Sequence, residues 1–274
     1  METTQPPPLV AGTLYLVATP IGNLEDITLR AVRVLKECSL IAAEDTRRTG
    51  LLLQHLGFRK PMVSCHHFNE ARRSAPVLEA LAAGGTVALV TDAGSPGISD
   101  PGERLVAAAI SAGRRVEPVP GPCALIAALT ASGLPTDEFH FGGFLPHKSG
   151  QRRRRLEGLT RIPGTLVLYE SPFRVLRLLE ELVAVVPGRR VVLAREVTKK
   201  FEEFLRGTPG ELLARFKDRA VRGEFVAMIA GPGPGDSNEE IPSIEAVEPD
   251  PELEVEAEVE GEPGDGEDAT GAGS

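Results

Sequence analysis

Six short strand-like runs, most of them apolar and each leading into a polar or glycine- and proline-bearing loop, constrain this chain more than any other feature. They cover residues 14–18, 40–43, 86–90, 115–119, 165–168 and 191–194. A run such as Val87-Ala88-Leu89-Val90 is continuous and rich in β-branched residues, which suits a strand buried on both faces. Apolar residues recur at three- and four-residue steps over 27–37, 102–112, 124–132 and 172–186, the spacing of helices with one buried face. Strands alternating with helices imply an α/β fold with largely parallel or mixed sheets, whose ligands sit beyond the carboxyl ends of the strands. The chain has 274 residues, close to two ordinary domains. The expected division is a flexible start (1–11), a first α/β domain (12–135), a second (136–234) and an acidic tail (235–274). The Gly- and Pro-bearing stretch 132–144 is the best linker candidate.

The loop after the third run reads TDAGSPGISDPG. Gly94, Gly97 and Gly102 let backbone approach a bound molecule closely, while Pro96 and Pro101 stiffen the path. It is neither G-x-G-x-x-G nor G-x-x-x-x-G-K-[ST], so neither a dinucleotide crevice nor a phosphate-cradling P-loop is indicated. No apolar stretch reaches the roughly 20 residues that span a bilayer, and residues 1–8 lack a signal-peptide pattern, so the expected compartment is the cytoplasm. Cys38, Cys65 and Cys123 are odd in number and widely spaced, which predicts neither a disulfide framework nor a zinc site. Cys65-His66-His67 would alternate faces on an extended segment, so no metal is expected there.

The net charge of −9 conceals two opposite regions. Of the 39 acidic residues, 15 follow residue 234, where no Lys or Arg occurs; residues 1–234 carry 24 acids against 30 bases, a balance of +6. The tail has no core-forming pattern and is expected to be disordered. The basic side concentrates at Lys148, Arg152, Arg153, Arg154 and Arg155, at the start of a helix. Four consecutive arginines cannot share one helix face, so some are solvated surface and others are candidates for phosphate contact.

Five segments taken in order carry a resemblance: TPIGNLED (19–26), AEDTR (43–47), TDAGSPGISDPG (91–102), PGPCA (120–124) and YESP (169–172). Together they resemble the tetrapyrrole-methylase superfamily, over about residues 12–231. Within it they are most similar to the branch that methylates a cytidine ribose 2′-oxygen in bacterial small-subunit ribosomal RNA. The resemblance implies two α/β domains with S-adenosylmethionine in the cleft between them, a homodimer, and 16S rRNA of the small ribosomal subunit as partner. It also implies a cofactor pocket lined by Pro20, Asp92, Ala93, Gly94, Ile98, Asp100, Cys123 and Ala124, with Leu168, Tyr169, Met228, Ile229 and Ala230 from the second domain.

S-adenosylmethionine has no phosphates, so backbone partners and a carboxylate near the ribose hydroxyls suit it. Asp92 or Asp100 could be that carboxylate; Asp100, before Pro101 at a helix start, fits an N-cap equally well. Cys123 reads as a small wall residue rather than a nucleophile. A ribose hydroxyl must lose a proton on methylation, and the candidates at strand ends are Glu44, Glu170 and Lys199, with Asp45, Lys200, His66 and Glu70 behind them. Arg47 more naturally binds phosphate. Other readings are methylation of a tetrapyrrole or a protein side chain, or a non-catalytic RNA-binding module.

Overall fold

The computed structural model describes residues 7–66, 70–217 and 221–233; the acidic tail lies outside the described residues. The first sheet comprises β1 (Thr13–Val17), β2 (Leu40–Ala43), β3 (Met62–Ser64), β4 (Val87–Val90) and β5 (Arg115–Val119), all parallel in the order β3-β2-β4-β1-β5. Helices α1 (Leu29–Glu37), α2 (Thr46–His55), α3 (Glu70–Ala82) and α4 (Glu103–Ser111) make the crossovers. Side chains alternate across a strand, so β4 feeds two cores at once. Ala88 and Val90 pack with Val34, Leu35 and Leu53, while Val87 and Leu89 pack with Val77, Leu81 and Leu105. Burial on both faces is why its sequence is uninterruptedly apolar.

The second sheet holds β6 (Phe139–Phe144), β7 (Thr165–Glu170), β8 (Val191–Arg195), β9 (Glu203–Gly207) and β10 (Phe225–Ile229), in the order β6-β7-β10-β8-β9. β6 and β7 are parallel and the other pairs antiparallel, giving a mixed sheet. The chain is thus a two-domain α/β fold. Three helices, α6 (Ser149–Leu159), α7 (Val175–Val185) and α8 (Pro209–Arg215), follow β6, β7 and β9. α7 buries Val175, Leu178, Leu179 and Leu182, one face at helical spacing, against the sheet with Leu156 and Leu159 of α6. The other face of the sheet is covered by α5 (Ala124–Ser132), which follows the last strand of the first sheet. Its Leu125, Ala128 and Leu129 pack on Val167, Val192, Ala194, Val226 and Met228. Each buried leucine contributes about 1.5–3 kcal/mol, so α5 fastens the first sheet's last loop to the second sheet.

Two expectations change. Residues 139–144 of the presumed linker form β6: Gly142 lies against Leu168 and Leu159, and Gly143, at φ 62°, follows a register shift against β7. Residues 7–11 are held rather than loose, with Leu9 against the first core, the Val10 N–H donating to the Tyr15 hydroxyl at 2.8 Å, and the Arg33 guanidinium donating to the Pro7 carbonyl at 3.0 Å. No described helix is long and apolar enough to cross a membrane.

Candidate active site

β7 and β8 both run antiparallel to β10, and β6 runs parallel to β7, so the carboxyl ends of β6, β7 and β8 share one sheet edge with the amino end of β10. That edge meets the loops after β1, β4 and β5 around a cavity of about 400 Å³. Main-chain bonds join these loops: the Thr19 and Gly94 N–H groups donate to each other's carbonyls at 2.9 and 3.0 Å, with Gly94 at φ 86°. The Thr19 hydroxyl donates to the Thr91 carbonyl at 3.0 Å, and the Ser95 hydroxyl to the Pro122 carbonyl at 3.2 Å. From the second domain, the Tyr169 hydroxyl accepts from the Leu125 N–H at 3.1 Å, satisfying one of the open donors at the start of α5. Its ring meets Phe141 and Phe144 edge-on, at 4.9 and 5.7 Å between centroids. Burial raises the Tyr169 phenol above its ordinary pKa, so it stays a neutral wall and hydrogen-bond partner.

Ala93, Gly94, Ile98, Asp100, Cys123, Ala124 and Tyr169 line this cavity. Ile21, Ser95, Ser99, Phe144, Ser171, Pro172, Val197, Phe225 and Val226 continue the wall, and Glu170, Glu196, Lys199 and Glu224 complete it. Pro20 adjoins Ile21 but is not part of the lining. Asp92 turns to the rim, where its Oδ1 accepts from the Asp45 N–H at 3.2 Å and its Oδ2 meets Arg48 at 3.3 Å. Burial nevertheless raises its pKa, against the pull of Arg48. Asp100 does not cap α4; that position belongs to Gly102, which makes no side-chain cap bond. Burial, reinforced by Glu44 and Asp92, raises the Asp100 carboxyl to about 7. Glu44 stands close by, its Oε2 accepting from the Asp92 N–H at 3.1 Å.

Four residues expected in the pocket, Leu168, Met228, Ile229 and Ala230, lie elsewhere for reasons of strand geometry. Leu168 points to the opposite face of β7 from Tyr169, into the core under α7. Because β10 is antiparallel to β7, Phe225 pairs with Glu170 and Ile229 with Leu166. The cleft therefore receives the start of β10, while Met228 and Ile229 sit in the cores. Ala230 borders a different and larger open groove, about 1030 Å³, at the far end of the sheet, away from the strand carboxyl ends.

The proposed proton acceptors fare differently. Glu170 has no exposed side-chain surface: Arg152 Nη2 lies 2.6 Å from its Oε1, and its Oε2 accepts from the Ser171 N–H at 3.2 Å with Arg174 Nε at 3.6 Å. Glu170 borders the cavity, but its carboxylate is buried and anchored by these partners. Lys199 Nζ meets Glu224 at 2.7 Å and Glu196 at 3.0 Å. Partial burial would lower its pKa, but the two carboxylates outweigh this and raise it, so Lys199 stays protonated and cannot accept a proton. Its alkyl stem lies over Gly22, where a Cβ would fall 2.4 Å from the lysine Cγ.

The arginine run divides as helix geometry requires. Arg152 is buried, bonded through Nε to Glu181 at 2.7 Å as well as paired with Glu170, and so is not an RNA contact. It shares a face with Leu156 and Leu159, four and seven residues on, a spacing that could have placed it inside. Lys148, Arg153 and Arg154 are exposed, and Arg155 is half-buried near His140, whose pKa is lowered by burial and by that arginine. Arg47 is exposed at the start of α2, paired with Asp45 at 3.0 Å.

A two-lobed α/β fold with a loop-walled cleft of this kind defines a methyltransferase of the tetrapyrrole (corrin/porphyrin) methylase type, and the sequence profile of that family matches residues 13–213. The chain belongs to this family, and within it groups with proteins named ribosomal RNA small subunit methyltransferase I. The relative from Halalkalibacterium halodurans is 48% identical over 230 residues, 84% of this chain and 80% of the relative. That from Escherichia coli O157:H7 is 51% identical over 223 residues, 80% of this chain and 78% of the relative. Solved structures share the fold: uroporphyrin-III C-methyl transferase from Thermus thermophilus, complexed with S-adenosyl homocysteine, has TM-score 0.56 at 23% identity, covering 79% of this chain and 96% of that one. Diphthine synthase has TM-score 0.62 at 15% identity, covering 80% and 90%.

Proposed function

We propose that this chain transfers a methyl group from S-adenosylmethionine to the ribose 2′-oxygen of a decoding-region cytidine in 16S rRNA, acting on the small ribosomal subunit as a homodimer in the cytoplasm. The observation that carries the cofactor reading is the chemistry of the cavity wall. Ile21, Ile98, Val197, Phe225 and Val226 make it largely apolar, its one lysine is matched by Glu196 and Glu224, and Asp100 adds a carboxylate. Such a wall fits a cationic ligand without phosphates, which is what S-adenosylmethionine is. The names of the relatives and the exposed arginines of α6 support the RNA acceptor.

When bound, the cofactor supplies an electrophilic methyl group on sulfur. The chain supplies placement. Ala93, Gly94, Cys123 and Ala124 border the cavity from the first domain and its connection and Tyr169 from the second, so both domains would hold the ligand. Asp100, ionised above about pH 7 and part of the lining, would accept hydrogen bonds from the ligand's hydroxyls. Glu44, just past the end of β2, electrostatically coupled to Asp100 and outside the cavity lining itself, is the group to which we assign the proton of the 2′-hydroxyl. Holding two reactants in a near-attack geometry contributes about 7 kcal/mol or more in favourable cases, and positioning of this kind is what the cavity walls would supply.

The test is methyl transfer from labelled S-adenosylmethionine to small subunits, free 16S rRNA and a porphyrin precursor, alongside a thermal shift with the cofactor. Label in small-subunit RNA, at a ribose resistant to alkaline cleavage, is the expected result. Label in the porphyrin would overturn the acceptor, and stabilisation without transfer to anything would favour a binding module.

A further inference from the structure

Phe173 is 93% exposed, on the turn between β7 and α7, and the two residues before it, Ser171 and Pro172, line the cavity. Single exposed apolar side chains are common; this one is distinguished by how firmly it is presented. The Ser171 carbonyl accepts from the N–H groups of Arg174 and Val175, both at 3.1 Å. The Arg174 guanidinium donates to the carbonyls of Leu145 and Pro146, the latter at 3.2 Å, and contacts His147 Nε2 at 3.3 Å. The turn is therefore tied to the segment that leads directly into Lys148 and the exposed Arg153 and Arg154 of α6. An exposed aromatic ring is thus carried on a hydrogen-bonded turn between residues that line the cavity and a residue bonded to the segment before the cationic helix start. Phe144, 45% exposed and itself lining the cavity, ends the neighbouring strand on the same edge.

We infer that Phe173 is a stacking platform for a nucleobase of a single-stranded RNA acceptor, next to the nucleotide whose ribose enters the cavity, with Lys148, Arg153 and Arg154 on the adjoining phosphates. The inference rests on the RNA reading of the preceding section and adds the residue that seats the strand. Charge complementarity favours RNA over an apolar protein surface: the cations adjoining the ring match a phosphate backbone, and an aromatic face within a cationic groove is the usual arrangement for unpaired bases.

The experiment uses the full chain with Phe173→Ala, Phe173→Leu and Phe173→Trp, and Ile110→Ala, an exposed residue near the far end of α4, as control. Binding of a cytidine-containing single-stranded oligoribonucleotide is followed by fluorescence anisotropy, S-adenosylmethionine binding by calorimetry, and mass by sedimentation. The Ala and Leu variants should bind the oligonucleotide on the order of tenfold more weakly, with Trp and the control at the native level and cofactor affinity unchanged throughout. Native binding by the Ala variant would overturn the platform. Native binding by the Leu variant would do so too, since an apolar contact would then suffice. Loss of self-association in the Ala variant would mean that a second copy covers the ring. Failure of the native chain to methylate RNA, with the binding losses as expected, would sink the proposed reaction and leave the platform standing.

Discussion

The guanidinium of Arg152, 1% exposed, lies between two carboxylates, Glu170 at 2.6 Å and Glu181 at 2.7 Å. Breaking a buried pair by removing one partner leaves the other charge in the interior, which costs about 3–5 kcal/mol. Arg152→Ala should destabilise the chain by that amount in urea unfolding. Glu170→Gln should cost less, because Glu181 still holds the arginine; an Arg152→Ala midpoint equal to the native one would show that the cluster carries no stability. Asp100 yields a pH dependence with a definite sign. Its folded pKa, about 7, lies above the ordinary value of 3.8, so the folded state binds the proton more tightly than the unfolded state. The stability this contributes is fully present below about pH 4 and is lost as the pH rises through 7. Asp100→Asn should therefore be more stable than the native chain above pH 7, with the difference closing towards pH 4. Cofactor affinity should move the opposite way, tightening in the native chain between about pH 6 and 8 as an ionised carboxylate gains stronger hydrogen bonds, and staying flat in Asp100→Asn. Calorimetric titration across that range would reject the role of Asp100 if both proteins behaved alike.

β6 depends on a glycine that its neighbours leave no room to replace. A Cβ on Gly142 would fall 2.7 Å from Leu168 Cδ2 and 3.0 Å from Leu159 Cδ1, within the packed core. Overpacking of this kind costs about 1–3 kcal/mol, so Gly142→Ala should lower the unfolding free energy by roughly that much, and a variant as stable as the native chain would show that the leucines simply repack. The same glycines explain why this strand was not legible in the sequence. Gly142 and Gly143 read as loop punctuation, and only the partner strand and the leucines above it reveal a bulged edge strand. β9, with its half-exposed EFLRG, is another edge strand whose apolar signal is too weak to stand out. β1, β2, β4, β7 and β8 were legible because burial on both faces forces a continuous apolar run. The loops of the first domain were equally legible, since main chain and small residues carry that half of the cavity. Its second half was not. Which end of β10 borders the cleft depends on strand direction, which Met228 and Ile229 do not encode, and the Arg152–Glu170 pair joins residues 18 apart on different elements.

For the whole molecule, two sheets share one cavity because α5 carries the chain from the first sheet onto the face of the second, with Tyr169 bonded to its first turn. The cavity wall is therefore assembled only when both domains are folded against α5, and the cationic start of α6 follows β6, which ends on the same edge. Charge works at this scale too. Residues 1–234 carry +6 while 15 acidic residues follow them without a single base. A covalently attached polyanion raises the local concentration of negative charge around a cationic surface and competes there with phosphates, an effect that salt screens over a Debye length of about 10 Å at 0.1 M. Removing residues 236–274 should then tighten binding to 16S rRNA fragments. The gain should be largest near 50 mM salt and fade by about 200 mM, so the truncated chain should show the steeper fall of affinity with salt. Binding isotherms for the two chains that superimpose at low salt would mean that the acidic segment leaves the RNA surface untouched and serves some other purpose.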